Sequence, residues 1–435
     1  MKKIILFVSL FIVLLVVGVA TWAYFAFLYT KPLTKAELAE LTPDWSVVTH
    51  GNWSPWFTEA DGSQTWNPAA SFNAWLATVP EEDKAWPVLV DLKYANPELF
   101  SSSNTCKLPS VGAGWEDVID VIDTKKNDRT FRRLKEALSR PVLGCGIYAS
   151  TDPIMHQAMI RHGRQDSRWD PDLHTKYQGL LDGQFSAIAT FSSMIKLFSV
   201  YSGYQLELGD IDEFVEMTIV LMGSSRHSDE YPSLINQTFS IAVESLAIKN
   251  TVWALARYPE LFDESHLVEL DKVARRHQHR TLLWEGDALG FHDSLRRFAD
   301  DQGGLKLSGF RTANGASFDL PTSLPDALLD HTAQRTIYEF ARLGEQATLD
   351  SSLAIYTTGA LPMTKPIAQG YRLNSFAQLF LDMAAPAYVQ ASQRFRALQQ
   401  EFIDLRLTIA THRHALRHGE MPASNTDIDP DLLPD

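Results

Sequence analysis

The sequence predicts a mainly α fold: an N-terminal transmembrane helix, a Trp-rich irregular N-terminal region, then an irregular helical bundle or helix-pair array with a long C-terminal helix. Three observations carry this. Residues 4–29 hold no charge and are mostly apolar. From about Trp115 onward, apolar residues recur at helical spacing. Pro386 to His418 contains no glycine and repeats its apolar residues in heptads.

Ile4 to Tyr29 is about 39 Å long as a helix, enough to cross a ~30 Å hydrocarbon core with some tilt. A cleaved signal peptide has a shorter apolar core, roughly 7–15 residues, and then a small-x-small site. Gly18-Val19-Ala20 has that form, but the apolar run continues through Trp22, Tyr24, Phe25 and Phe27. An uncleaved single-pass anchor is therefore expected, with the lipid bilayer as its partner. Trp22, Tyr24 and Tyr29 suit the far interface. Lys2 and Lys3 precede the run, so residues 1–3 are expected to stay cytoplasmic and the bulk to lie outside the cytoplasm.

The chain has 435 residues, long enough for one large domain or two to three ordinary ones. At 45% hydrophobic and 21% charged it is globular rather than disordered. The net charge of −14 argues against a nucleic-acid partner. The densest basic stretch, Arg275 to Arg280, reads as a helix C-terminus, where cations suit the dipole. There are two cysteines, Cys106 and Cys145. An extracytoplasmic location permits a disulfide between them, and two separate thiols are the alternative.

Residues 30–114 form the Trp-rich region. Trp45, Trp53, Trp56, Trp66, Trp75 and Trp86 fall there, and Pro and Gly interrupt every run. A short helix is expected around Ala69–Ala77 and a short strand at Pro87–Leu92. The rings read as anchors onto the domain behind, with a sugar-stacking platform as the rival account.

Residues 115–302 read as helical. Val118, Ile119 and Ile122 open one stripe; Phe131, Leu134 and Leu138 follow before Pro141. Phe185, Ile188, Ile195 and Phe198 mark Gln184–Tyr201. Asp210 is an expected N-cap with Glu213 three residues on. Ile211, Phe214, Val215, Thr218, Ile219 and Met222 then form one face. Pro232-Ser233 opens a helix whose predicted inner face is Leu234, Ile235, Thr238, Phe239, Ala242, Val243, Leu246 and Ala247. Asp263–His277 points Leu267, Leu270, Val273 and Ala274 inward, and Leu282–Phe298 is a further helix. No fixed repeat period supports a solenoid.

Residues 303–322 are expected to be a loop or small hairpin. Residues 323–418 resume as helix after Ser323, with Leu329, Ala333, Ile337, Phe340 and Ala341 in one stripe, and end in the long helix. There Tyr388, Phe395, Phe402 and Ile409, with Ala391, Leu398 and Leu405, occupy heptad positions. The 386–418 helix pairs with an envelope protein partner or packs on this chain's own helices. Gly419 and Pro422 end it, and 419–435 is a C-terminal tail.

The segment from Leu405 to Ser424 contains a helix and then His418-Gly419-Glu420-Met421-Pro422-Ala423-Ser424. It resembles the end of uncharacterised membrane-anchored helical proteins of planctomycete-type bacteria. A similar helix-HGxxP turn occurs in pseudopilins of type II secretion. Gly209-Asp210-Ile211-Asp212 and Tyr231-Pro232-Ser233-Leu234-Ile235 resemble the first group too. In pseudopilins the corresponding helix continues the membrane segment, whereas here most of the chain intervenes. The resemblance implies a helical fold and a cell-envelope location, and brings no catalytic residues.

His414 and His418 share a helix face at i, i+4, a spacing that suits a metal, although no acid of that helix stands beside them. Glu285, Asp287 and Asp293, with His292, are the best acidic cluster for acid/base work on a glycosidic bond. No nucleophile elbow, P-loop, dinucleotide fingerprint or HExxH occurs, so no cofactor is expected. These features point to a binding or scaffolding role in the cell envelope. The rival is a cell-wall or glycan-active hydrolase using an acidic pair.

Overall fold

In the computed structural model, placement is described for residues 15–19, 56–102, 122, 125–148, 152–167, 169, 185–231, 233–280 and 375–434. The chain divides into two compact units, residues 1–44 with 287–390 and residues 45–286 with 391–435. In the first, residues 15–19 and 375–390 are helical. Leu15, Val16, Val17 and Val19 are each more than half exposed. Among the described residues no helix is long and apolar enough to cross a membrane. Most of the predicted 4–29 anchor lies outside them. So do the helices predicted at Leu282–Phe298 and after Ser323, and the 303–322 segment.

The second unit is mainly helical, as predicted. It opens with an antiparallel hairpin, β1 (Trp56–Thr58) and β2 (Gln64–Trp66), in register Trp56 opposite Trp66. Its turn passes through Gly62 at φ +83°, a conformation that suits glycine. α1 (Pro68–Thr78) lies where a short helix is predicted. Asn67 caps it, accepting from Ala70 N at 2.9 Å, and Pro68 sits in its first turn.

α2 (Trp86–Ala95) corrects the expectation of a strand at Pro87–Leu92. A continuous apolar run fits either state, and its flanks decide. Pro87 is preset for a first helical turn. The buried set Trp86, Leu89, Val90 and Tyr94 follows helical rather than alternating spacing. The amides of Ala85 and Trp86, which a helix start leaves without partners, donate to Val142 O at 2.8 Å and Leu143 O at 2.6 Å. Trp86 is fully buried and donates through Nε1 to Asp152 Oδ1 at 3.1 Å. It is a core anchor and offers no face to a sugar.

α3 (Pro97–Ser102) extends the helical content of a region expected to be irregular. α4 (Lys125–Ser139) buries Phe131, Leu134 and Leu138, the predicted stripe. Phe131 stacks on Tyr201 with centroids 3.7 Å apart. After α5 (Pro153–Arg161), α6 (Phe185–Glu207) runs six residues past the predicted end and stops at Gly209, φ +82°. α7 (Ile211–Ser224) begins at its predicted cap, where Asp210 accepts from Glu213 N at 3.1 Å.

α8 (Leu234–Arg257) forms where predicted and buries Val243 and Ala247 of its predicted inner face, but the buried side is broader and more polar than predicted. Asn236, Gln237, Ser240, Glu244, Asn250 and Thr251 are buried, while Ile235 and Ala242 are exposed. α9 (Glu264–Gln278) buries Leu267, Leu270, Val273 and Ala274, as its spacing predicts. α10 (Ser375–His418) begins eleven residues before Pro386, which lies inside it and removes one backbone bond from its ladder. Its heptad residues Ala391, Leu398, Phe402, Leu405 and Ile409 are buried. Phe402 stacks on His277 of α9, centroids 6.0 Å apart, and Arg406 donates to Asp271 at 2.9 Å. Gly419, φ +78°, ends the helix as predicted. The tail returns along it, seating Ile428 and Leu432 against Ala410 and Leu407.

Candidate functional site

The chemically richest part of the described structure surrounds a 3-10 segment, Ser225–Glu230, between α7 and α8. The segment buries Ser225, His227, Ser228 and Glu230. Two clusters of polar groups meet there, and neither is visible in the sequence as a motif.

The first cluster lines a small cavity with Cys145, His227, Ser228, Glu230, Tyr231 and Asn236 on its wall, closed by Phe72, Phe191 and Phe239. The cavity holds about 50 Å³, room for a few waters and far less than a ligand-sized pocket of ~300 Å³. Glu230 accepts from the amides of Leu143 and Gly144, the latter at 3.2 Å. Gly144 adopts φ +75°, and a Cβ there would meet Lys84 at 2.7 Å, so glycine is required for the cradle. Burial pushes Glu230 up to about 8, against the pull of the two amides. It is protonated over most of the neutral range.

His227 places Nε2 2.7 Å from Arg140 O. A carbonyl only accepts, so Nε2 carries the hydrogen. Nδ1 is then the acceptor, and it is buried with no hydrogen-bond partner. Burial pushes His227 down to about 4, which keeps the imidazole neutral. The Cys145 thiol is held well above its ordinary range by burial, and then by the carboxyls of Asp152 and Glu230. Its Sγ faces Gly146 O at 3.7 Å. A nucleophilic cysteine needs a lowered pKa and a charged histidine; this one has neither. The cavity is a neutral polar pocket that ties residues 140–146 to the start of α8.

The neutral histidine sets a sign. Its contribution to stability is complete above its ordinary value of 6.5 and is lost as pH falls toward about 4. The stability advantage of wild type over His227→Gln is expected to shrink by up to about 3 kcal/mol across that window, measured by denaturant unfolding at stepped pH. A constant gap would mean that His227 is charged in the fold.

The second cluster is ionic. Glu244 of α8, fully buried, accepts from Ser225 Oγ at 2.8 Å, His277 Nδ1 at 2.7 Å and Arg280 Nη1 at 3.1 Å. Arg280 Nη2 pairs with Asp229, which also accepts from Gln237 Nε2 at 2.8 Å. Burial would raise Glu244, but the His277 bond and the Arg280 charge outweigh it and hold it below its ordinary value. Asp229 moves the other way, to about 6, because burial outweighs Arg280. Its side chain keeps 27% exposure, so it remains mostly ionised at pH 7. Each acid is taken up by internal partners and none is presented to a substrate.

Of the sequence-predicted residues, Glu285, Asp287 and Asp293 lie outside the described residues, as does Cys106. Cys145 is in the cavity wall. His277 lies in the last turn of α9, as read from the sequence, and also bonds Glu244. His414 and His418 stand side by side, ring centroids 4.3 Å apart, and the C-terminal tail brings Asp429 to them.

A third feature is open. Thr238, Ala242 and Leu246 of the predicted inner face of α8, with Ile241, Ser245 and Lys249, line a groove with α10 against Arg394, Ala397, Leu398 and Glu401. The groove holds about 360 Å³. One carboxylate oxygen of Glu401 is buried with no hydrogen-bond partner. No family model, curated protein or solved structure matches the chain.

Proposed function

We propose that this chain is a single-pass, membrane-anchored extracytoplasmic protein that acts by binding, with the α8–α10 groove as its docking surface and an envelope protein as its partner. The observation that carries this reading is the position of α8's apolar face. Thr238, Ala242 and Leu246, whose spacing marks them as interior, instead line a groove of about 360 Å³. Such a groove suits an amphipathic helix laid along it. Lys249 and Arg394 add positive charge beside the apolar strip, and Glu401 offers an acceptor lacking a donor. A helix bearing an apolar stripe, one donor and acidic flanks fits that chemistry. The uncharged run at 4–29 supports the anchor, as do the exposed apolar side chains of helical residues 15–19.

Photo-crosslinking side chains at Ala242 and Ala397, both exposed in the groove, are expected to capture one partner in native membranes. The same probe at Val268, exposed on α9, is expected to capture none, and Ala397→Trp is expected to abolish the adduct from 242. Equal capture at all three positions would remove the groove from consideration. For topology, a reporter active only outside the cytoplasm, fused after Asp435, is expected to be active; an inactive fusion would reverse the orientation.

A further inference from the structure

We propose that His414, His418 and Asp429 form a binding site for a divalent transition-metal ion, with zinc the best match, that clips the C-terminal tail to the end of α10. The three side chains offer one donor atom each, all within 4.8 Å of one another. His418 Nε2 lies 3.1 Å from Asp429 Oδ1, and His414 Nδ1 lies 3.4 Å from the same oxygen. Donor atoms held at about 2.0–2.1 Å from a tetrahedral ion stand about 3.3–3.4 Å apart. The two histidine–carboxylate spacings are close to the edges of such a tetrahedron, and the histidine donors lie within 4.8 Å of each other. Two imidazoles and one carboxylate are a common donor set for zinc with one position left open.

Two further observations point to a ligand. His414 is only 9% exposed, and its buried Nδ1, 3.4 Å from Asp429 Oδ1, makes no well-directed hydrogen bond. An acceptor or donor left so is costly unless something fills the gap. The surroundings also favour a cation. The site sits on the last turn of α10, at the negative end of the helix dipole. Arg417 holds Asp429 Oδ2 at 3.3 Å and Asp431 at 2.9 Å, and Arg413 is taken up by Glu264. Three carboxylates thus face two guanidiniums before any ion arrives. Arg417 orients the Asp429 carboxylate from outside, leaving Oδ1 toward the histidines.

The same geometry gives the ion a structural task. Ile428 and Leu432 pack on Ala410 and Leu407 in a small cluster. A tail held by so little apolar surface needs a further tie, and Asp429 lies between those two residues. An ion shared by Asp429 and the helix histidines fixes the tail in register.

The full chain in detergent, stripped with a chelator, would be titrated with ZnCl₂ by calorimetry and with Co²⁺ by visible absorption. One zinc per chain and a tetrahedral cobalt spectrum are expected. His418→Ala and Asp429→Asn are expected to weaken zinc binding by about 100-fold or more. His412→Ala, on the same helix but outside the donor set, is expected to leave it unchanged. Hydrogen exchange at residues 425–434 should slow on adding zinc to wild type and not to Asp429→Asn. His418 is exposed, so its loss spares the fold. Absence of stoichiometric zinc binding by wild type would overturn the proposal. So would affinity unchanged in both ligand variants, which would leave the His418–Asp429 contact as an ion pair capping the helix.

Discussion

Replacing Arg280 with alanine is expected to destabilise the fold by about 3–5 kcal/mol. Its two guanidinium nitrogens serve separate acids: Nη1 reaches Glu244 and Ser240, Nη2 reaches Asp229 and Gln237. Glu244 has no side-chain exposure, and its second oxygen is already without a partner. Removing the guanidinium leaves a buried carboxylate with His277 and Ser225 alone. An uncompensated buried charge is costly because neither water nor a fixed dipole replaces the lost partner. Arg413→Ala is the comparison. Its partner, Glu264, keeps 43% side-chain exposure, so solvent takes over and the loss is expected to stay under about 1 kcal/mol. Urea denaturation of both variants decides it. An Arg280→Ala midpoint no lower than that of Arg413→Ala would show that the buried ionic cluster contributes nothing beyond packing.

How far the sequence reveals this molecule depends on what fills each interior face. α9 reads correctly, in its bounds to within a residue and in the Leu267, Leu270, Val273 and Ala274 stripe, because its neighbours are apolar and burial follows hydrophobicity. α7 reads correctly for the same reason. α8 does not. Its inner face holds Asn236, Gln237, Ser240 and Glu244, and burial there is compensated bond by bond. The partners Ser225, Asp229, His277 and Arg280 lie 8 to 43 residues from the α8 residues they bond. Periodicity cannot register a face whose burial depends on distant hydrogen bonds. The error at Pro87–Leu92 differs in kind, since an unbroken apolar run has no period to read. Asp429 was hidden by chain geometry: it follows His418 by eleven residues and reaches it only because Gly419 turns the tail back. The histidine pair was legible as helix spacing; its carboxylate was not.

Between about pH 6.5 and 8 the stability of the wild-type chain is expected to fall, and Glu230 is the group responsible. Folded, its carboxyl titrates at about 8; unfolded, near its ordinary 4.5. Below 4.5 both states hold the proton and the contribution of Glu230 is complete. As pH rises, the unfolded state releases the proton first, and stability declines until the folded state follows near 8. The slope approaches about 1.4 kcal/mol per pH unit, the limit for one proton. At lower pH this trend is masked. His227 acts in the opposite sense between about 4 and 6.5, and Asp229 in the same sense between 3.8 and about 6. Above 6.5 what remains of both fades within about a unit and, being of opposite sign, partly cancels, so Glu230 dominates there. Glu230→Gln keeps the shape and cannot ionise. Its amide group meets one of the two backbone donors that the carboxyl accepted, so it is expected to be less stable at pH 6.5. Its stability should nonetheless change far less than that of wild type up to pH 8. Unfolding by urea at pH 6.5, 7.25 and 8 separates the cases: a slope that persists in Glu230→Gln would assign the titration to another group and place Glu230 in the fold as a carboxylate.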